Sequence, residues 1–191
     1  TSMEGLSLYR DFIDSGHSVS WTCHGIEHEL SAHYDITHGL GLAILTPAFL
    51  SYVLDETTAP RIARFAVGVM GVSPKGKDTI KIAQKGIKRL RKYFKKQLCL
   101  PTTLTEIGID DTRFAEMAQK TIAWKGAKDG LLHGFVSLSA KDLEEIYRLA
   151  CEYPPPVNLT APQALIKGIT QKQKKGNDPC GADGKKGEVV N

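Results

Sequence analysis

The sequence predicts an all-α fold, a bundle of helices joined by short loops. Three observations carry this. Apolar residues recur at steps of three and four along most of the chain, no alternating five-residue strand stands out, and Gly and Pro fall between the periodic stretches. In chain order, Ile44, Leu45, Ala48, Phe49, Tyr52 and Val53 trace one helical face. Thr57-Thr58-Ala59-Pro60 places a proline in a first helical turn, where its missing N–H costs nothing. Gly71-Val72-Ser73-Pro74 breaks the chain. Asp78 to Leu98 then repeats Ile80, Ala83, Ile87, Leu90, Phe94 and Leu98, with Lys and Arg forming a solvated opposite face. After Leu100-Pro101 come helices over Thr112 to Trp124 and Lys141 to Ala150. They are separated by a break at Gly126 to Gly134, and Ser139 is the N-cap of the second.

The chain has 191 residues, of which 41% are hydrophobic and 24% charged, enough for one globular domain with its own core. Residues 161–191 carry six Lys against three acidic residues, while the rest is close to neutral. Pro154-Pro155-Pro156 is a rigid break. The expected organisation is a helical domain over 1–156, which the histidines described next mark as metal-binding, and a basic, disordered tail over 157–191. A net charge of +4 is too mild to imply nucleic acid, and none is expected as a partner. No apolar run reaches the roughly 18 residues of a membrane span, and Thr1-Ser2-Met3-Glu4 shows no secretory start. The expected setting is therefore cytoplasmic. Cys23, Cys99, Cys151 and Cys180 lie far apart without a C-x-x-C pair, so reduced thiols are expected.

The histidines carry the chemistry. Five of six (His17, His24, His28, His33, His38) fall within 22 residues, and only His133 lies elsewhere. His24 and His28 are one helical turn apart and share a face. His38 follows His24 by 14 residues, ~21 Å along a straight helix, too far to share an ion. The chain must bend at Tyr34-Asp35-Ile36-Thr37, with Asp35 or Thr37 capping a helix that starts at His38-Gly39. Neutral imidazole suits Zn, Fe, Ni and Cu. His17 and His33 are expected bystanders. A second reading fits His24-Gly25-Ile26-Glu27-His28 to H-x-x-E-H, a zinc peptidase signature in which Glu27 activates water. Its remaining ligand would be a distant carboxylate such as Glu106. A third reading is a non-catalytic helical domain in which the histidines merely persist.

The stretch from His24 to Pro47 resembles the iron-containing (group III) alcohol dehydrogenases, most closely their butanol-dehydrogenase-like branch. The matching pattern is His24, three residues, His28, then His38-Gly39 ten further on, and an apolar helix ending in Leu45-Thr46-Pro47. The runs Leu100 to Ile109 and Gly134 to Tyr147 are similar to that family as well. The resemblance covers about Leu6 to Cys151.

The resemblance implies an N-terminal α/β domain that binds NAD(P) and a C-terminal helical domain that holds a catalytic metal through one Asp and three His. His24 and His38 match two of the metal-binding histidines. His28 matches the catalytic histidine beside the nicotinamide, which helps relay the proton. The metal is Fe, with Zn an alternative, and the substrate is a small alcohol or aldehyde; a homodimer is left open. No G-x-G-x-x-G loop stands in this sequence. On this reading the D-x-x-x-H ligand pair falls upstream of Thr1, and the chain is a C-terminal portion that is inactive alone. Asp129 and His133 share that spacing by coincidence. Trp21 and Phe49 are candidates for an apolar substrate pocket or for ordinary core packing.

Overall fold

The computed structural model describes residues 21–76 and 78–151. His17, the boundary near 156 and the expected basic tail lie outside the described residues. In order, the helices are α1 (Thr22–Tyr34), α2 (His38–Tyr52), α3 (Ala59–Gly68), α4 (Thr79–Lys96), a 3-10 turn (Thr105–Ile107), α5 (Phe114–Lys125) and α6 (Ala140–Cys151). No strand forms among the described residues. A single antiparallel bridge joins Leu132 to Leu138 inside the loop before α6.

The expected bend is present. Asp35 takes the left-handed conformation (φ 50°), which a short polar side chain tolerates, and its N–H closes on the Ser31 carbonyl at 3.0 Å. Thr37 is extended and occupies the N-cap position of α2, but its hydroxyl makes no cap bond. Local hydrogen bonds mark the starts of three further helices. Asp55 Oδ1 accepts from the Thr57 and Thr58 N–H groups just before Pro60 enters the first turn of α3. Asp78 caps α4 by accepting from the Lys81 N–H at 2.8 Å. The Ser139 N–H donates to Asp142 Oδ2 at 2.7 Å, while the Asp142 N–H donates back to Ser139 Oγ at 3.3 Å, a reciprocal capping box.

Two expectations need correction. Helix α2 does not end at Pro47, where the resemblance has it close, but runs through it to Tyr52, as the apolar face from Ile44 to Val53 predicts. Pro47 forfeits one backbone bond there, yet Leu45, Pro47, Ala48 and Phe49 are all buried, and that packing outweighs the loss. Cys99 is disulfide-bonded rather than reduced, whereas Cys23 is the expected free thiol; burial pushes it up to about 11.

Helix α2 is central, packing against α1, α4 and α6. Ile26, Leu30, Ile44, Leu45, Leu104 and Phe114 are fully buried in the shared core. Tyr147 of α6 stacks on Phe114 and donates its hydroxyl to the Ile26 carbonyl at 2.6 Å, which fixes α1 from beneath. With Ile26 and Leu30 turned inward, the same helix presents His24 and His28 on its outer side.

Candidate metal centre

Helix α1 carries His24 and His28 at successive turns, and the three-residue bend brings His38, the first residue of α2, back against them. One imidazole nitrogen from each of the three lies within 4.8 Å of the others. His24 Nδ1 is 2.9 Å from His38 Nε2. The His28 and His38 ring centres are 5.1 Å apart.

Each ring is held by something different. His38 Nδ1–H donates to Glu27 Oε2, which leaves the Nε2 lone pair facing His24. Glu27 is fully buried and also accepts from Ser31 Oγ at 2.6 Å. Its carboxylate lies over the first turn of α2, where a Cβ on Gly41 would come within 2.4 Å of Oε1, so only glycine leaves it room. Negative charge at that helix end also offsets the positive pole that α2 directs at the site. Trp21 packs edge-on against His24, with ring centres 4.7 Å apart. His28 lies stacked on Trp124 of α5, at 5.7 Å and 12°. Trp124 is in turn anchored by donating its indole N–H to Glu29 Oε1 at 2.9 Å.

Burial, followed by the charges of His38, His28 and Lys125, holds the His24 imidazole below its ordinary value of 6.5. It is therefore kept neutral with a lone pair available. Two imidazole nitrogens at 2.9 Å repel unless a proton or a cation lies between them. The donor set, all nitrogen and backed by a buried carboxylate, fits a transition metal such as iron or zinc and not magnesium or calcium.

The structure brings His24, His28 and His38 together and leaves the other candidates apart. His33 accepts from Arg113 Nη1 at 3.1 Å and is not part of the cluster. Glu106 accepts from Lys95 and from the Thr102 N–H. Asp129 and His133 pair with each other at 2.9 Å on an exposed loop. Phe49 lines an apolar cavity of about 440 Å³ between α2, α3 and α4, together with Phe65, Phe94 and Phe135. Neither Trp21 nor any of the three cluster histidines lines that cavity, so Trp21 and Phe49 do not line it together. Glu27 overturns the peptidase geometry. It is buried behind His38 and occupied by two donors, not free to activate a water on the open face. Sequence reasoning missed Trp124, Glu29, Ser31 and Gly41; Ser31, four residues after Glu27, was the only one with a local signal.

A profile of the Fe-containing alcohol dehydrogenase family, C-terminal domain, matches residues 13–151. The chain belongs to this family. It is 40% identical over 133 residues to NADH-dependent butanol dehydrogenase A of Clostridium acetobutylicum, covering 70% of this chain and 33% of that protein. Probable NADH-dependent butanol dehydrogenase 1 of Bacillus subtilis is 35% identical over 144 residues, covering 75% and 35%. The crystal structure of NADH-dependent butanol dehydrogenase A from Thermotoga maritima superposes with a TM-score of 0.60 at 32% identity, over 70% of this chain and 33% of that one. The chain thus spans about a third of the length of the relatives it matches, and this third is the helical, C-terminal domain of the iron-containing alcohol dehydrogenases.

Proposed function

We propose that this chain forms the metal-holding and proton-handling side of an NAD(P)-linked oxidoreductase that interconverts a small alcohol and its aldehyde. The observation that carries the proposal is the convergence of His24, His28 and His38 within 4.8 Å, with a buried carboxylate behind one of them. The relatives named as butanol dehydrogenases supply the substrate class.

In this proposal His24 and His38 hold a divalent ion, Fe or Zn. That ion supplies Lewis acidity toward the carbonyl oxygen of the aldehyde while hydride moves to or from NAD(P)H. Glu27 fixes the ring plane and tautomer of His38 so that Nε2, not Nδ1, faces the site. His28 is exposed and close to both rings, and it takes up or returns the hydroxyl proton at its imidazole nitrogen. Trp124 keeps the His28 ring in place by stacking. The 191-residue chain by itself turns over at most trace amounts of butanal.

The test is a chimera in which residues 13–151 replace the matching third of the Clostridium acetobutylicum relative. NADH-dependent butanal reduction is expected, lost in H24A and H38A, and reduced mainly in kcat by H28A. A chimera that folds and binds metal but does not turn over butanal or a longer aldehyde overturns the proposal.

A further inference from the structure

The cavity between α2, α3 and α4 takes no part in the histidine cluster, yet it is built like a binding site. Its volume of about 440 Å³ lies in the range of small-molecule pockets. Buried Phe49 and Ile62 line it from the core, and half-buried Phe65, Leu90 and Phe94 complete an apolar wall. Two polar residues border it. Thr46 is engaged with the Cys23 thiol. Arg61 is exposed, and its guanidinium lies over the Phe135 ring, 5.7 Å from the centroid. Among the described residues, no carboxylate pairs with it. Charge around the cavity has one sign. Helices α3 and α4 carry two and eight Lys or Arg residues, and α2, α3 and α4 contain no Asp or Glu. Asp78 and Glu106 offset two of these, Lys81 and Lys95. The chain as a whole has a formal net charge of only +4, so positive charge is concentrated on this side. Such a cleft draws anions, while its apolar wall penalises a small ion stripped of water. A ligand with an apolar chain and one anionic head meets both conditions.

We propose that this cavity binds a medium-chain alkyl carboxylate, its chain filling the space among Phe49, Phe65, Leu90 and Phe94 and its head held by Arg61. A guanidinium stacked on an aromatic face keeps its in-plane N–H groups available, and that planar fork matches a carboxylate. Phe135 is fixed for this role by the loop that carries it. The Leu132–Leu138 bridge closes the loop at its base. His133 then ties its two arms together, 2.8 Å from Ser137 Oγ and 2.9 Å from Asp129 Oδ2. The platform under Arg61 is thus set before any ligand arrives, which lowers the cost of ordering the head-group site on binding.

Isothermal titration of the purified chain with decanoate, decanol and acetate tests this. Decanoate is expected to bind one-to-one. Decanol has the chain without the charge and should bind about tenfold more weakly, whereas acetate has the charge without the chain and should not bind measurably. Arg61→Gln should weaken decanoate by about tenfold and leave decanol unchanged. Arg61 is exposed, so this variant is expected to fold, and circular dichroism checks that it does. Leu90→Trp places a larger ring in the cavity and should abolish binding of both chains. If decanoate and decanol bind equally well, and R61Q changes neither, the head-group site is wrong and the proposal falls. It falls too if the parent does not bind decanoate, or if folded L90W binds it as the parent does. A parent that sediments as a dimer while L90W sediments as a monomer would give the cavity to a second copy of the chain and overturn the proposal as well.

Discussion

Glu27 sits between two histidines in the sequence and would serve a peptidase as its base, but the structure gives it another task. It is buried, accepts from Ser31 and from His38, and so decides which nitrogen of His38 faces the site. Replacing Glu27 by Gln removes the charge behind His38 while keeping the side chain's shape. E27Q should weaken cobalt or zinc affinity by about 10–100-fold, the usual effect of removing an outer-shell carboxylate, as read by isothermal titration. At this scale the sequence was half legible. The 14-residue gap between His24 and His38 forced a bend, because helix rise is fixed, and the bend is where Asp35 and Thr37 stand. Trp124 and Gly41 left no such trace, since their contacts join residues on different helices. No periodicity within α5 marks Trp124 as the platform for His28, and Gly41 reads as an ordinary small residue until Glu27 is seen lying over it.

Between elements, close approach sets the tolerance. Helices α3 and α4 cross where Gly86 faces Ala66, and a Cβ at Gly86 would fall 2.3 Å from Ala66 Cβ. Gly86→Ala adds up to ~1 kcal/mol of helix propensity, but the forced separation of α3 and α4 costs about 1–3 kcal/mol, so a net loss is expected in urea unfolding. The contact between α2 and α6 is polar and depends on pH. Tyr52 donates to Asp142 Oδ1 at 2.5 Å. Burial pushes the Asp142 carboxyl up, but hydrogen bonds from Ser139 and Tyr52 outweigh it, leaving the group below its ordinary value of 3.8. A carboxyl depressed in the folded state contributes stability that is complete above its unfolded value and lost as pH falls through the folded one. Tyr52→Phe should therefore cost about 1 kcal/mol at neutral pH, the low end for a charged acceptor because the pair is partly exposed. That difference should vanish on titration well below pH 3.8. Helix positions were largely legible, because apolar spacing and a cap such as Ser139 are local chemistry. Passage of α2 through Pro47 was legible in the apolar face from Ile44 to Val53, and burial against three other helices sustains it.

Across the whole molecule, the all-α architecture followed from apolar spacing alone, and the described residues form six helices without a strand. What spacing could not supply was the order of packing, with α2 at the centre and α6 holding α1 through Tyr147. That order decides which side of α1 stays open, and hence where the cluster faces. The open face is flanked by Trp21 and Trp124, 43% and 49% exposed, which is a large aromatic surface for a small domain.

Because the imidazoles of His24 and His38 come from segments separated by only Asp35, Ile36 and Thr37 beyond the end of α1, an ion seated there is also a staple across a corner. Unfolding pulls the corner open and must first surrender the ion. The thermal midpoint should then climb with the logarithm of free zinc, at roughly 1.4 kcal/mol of added stability per tenfold rise once binding saturates, in scanning calorimetry of the purified chain. A midpoint that ignores zinc while zinc is demonstrably bound would mean that the corner stays closed in the denatured chain.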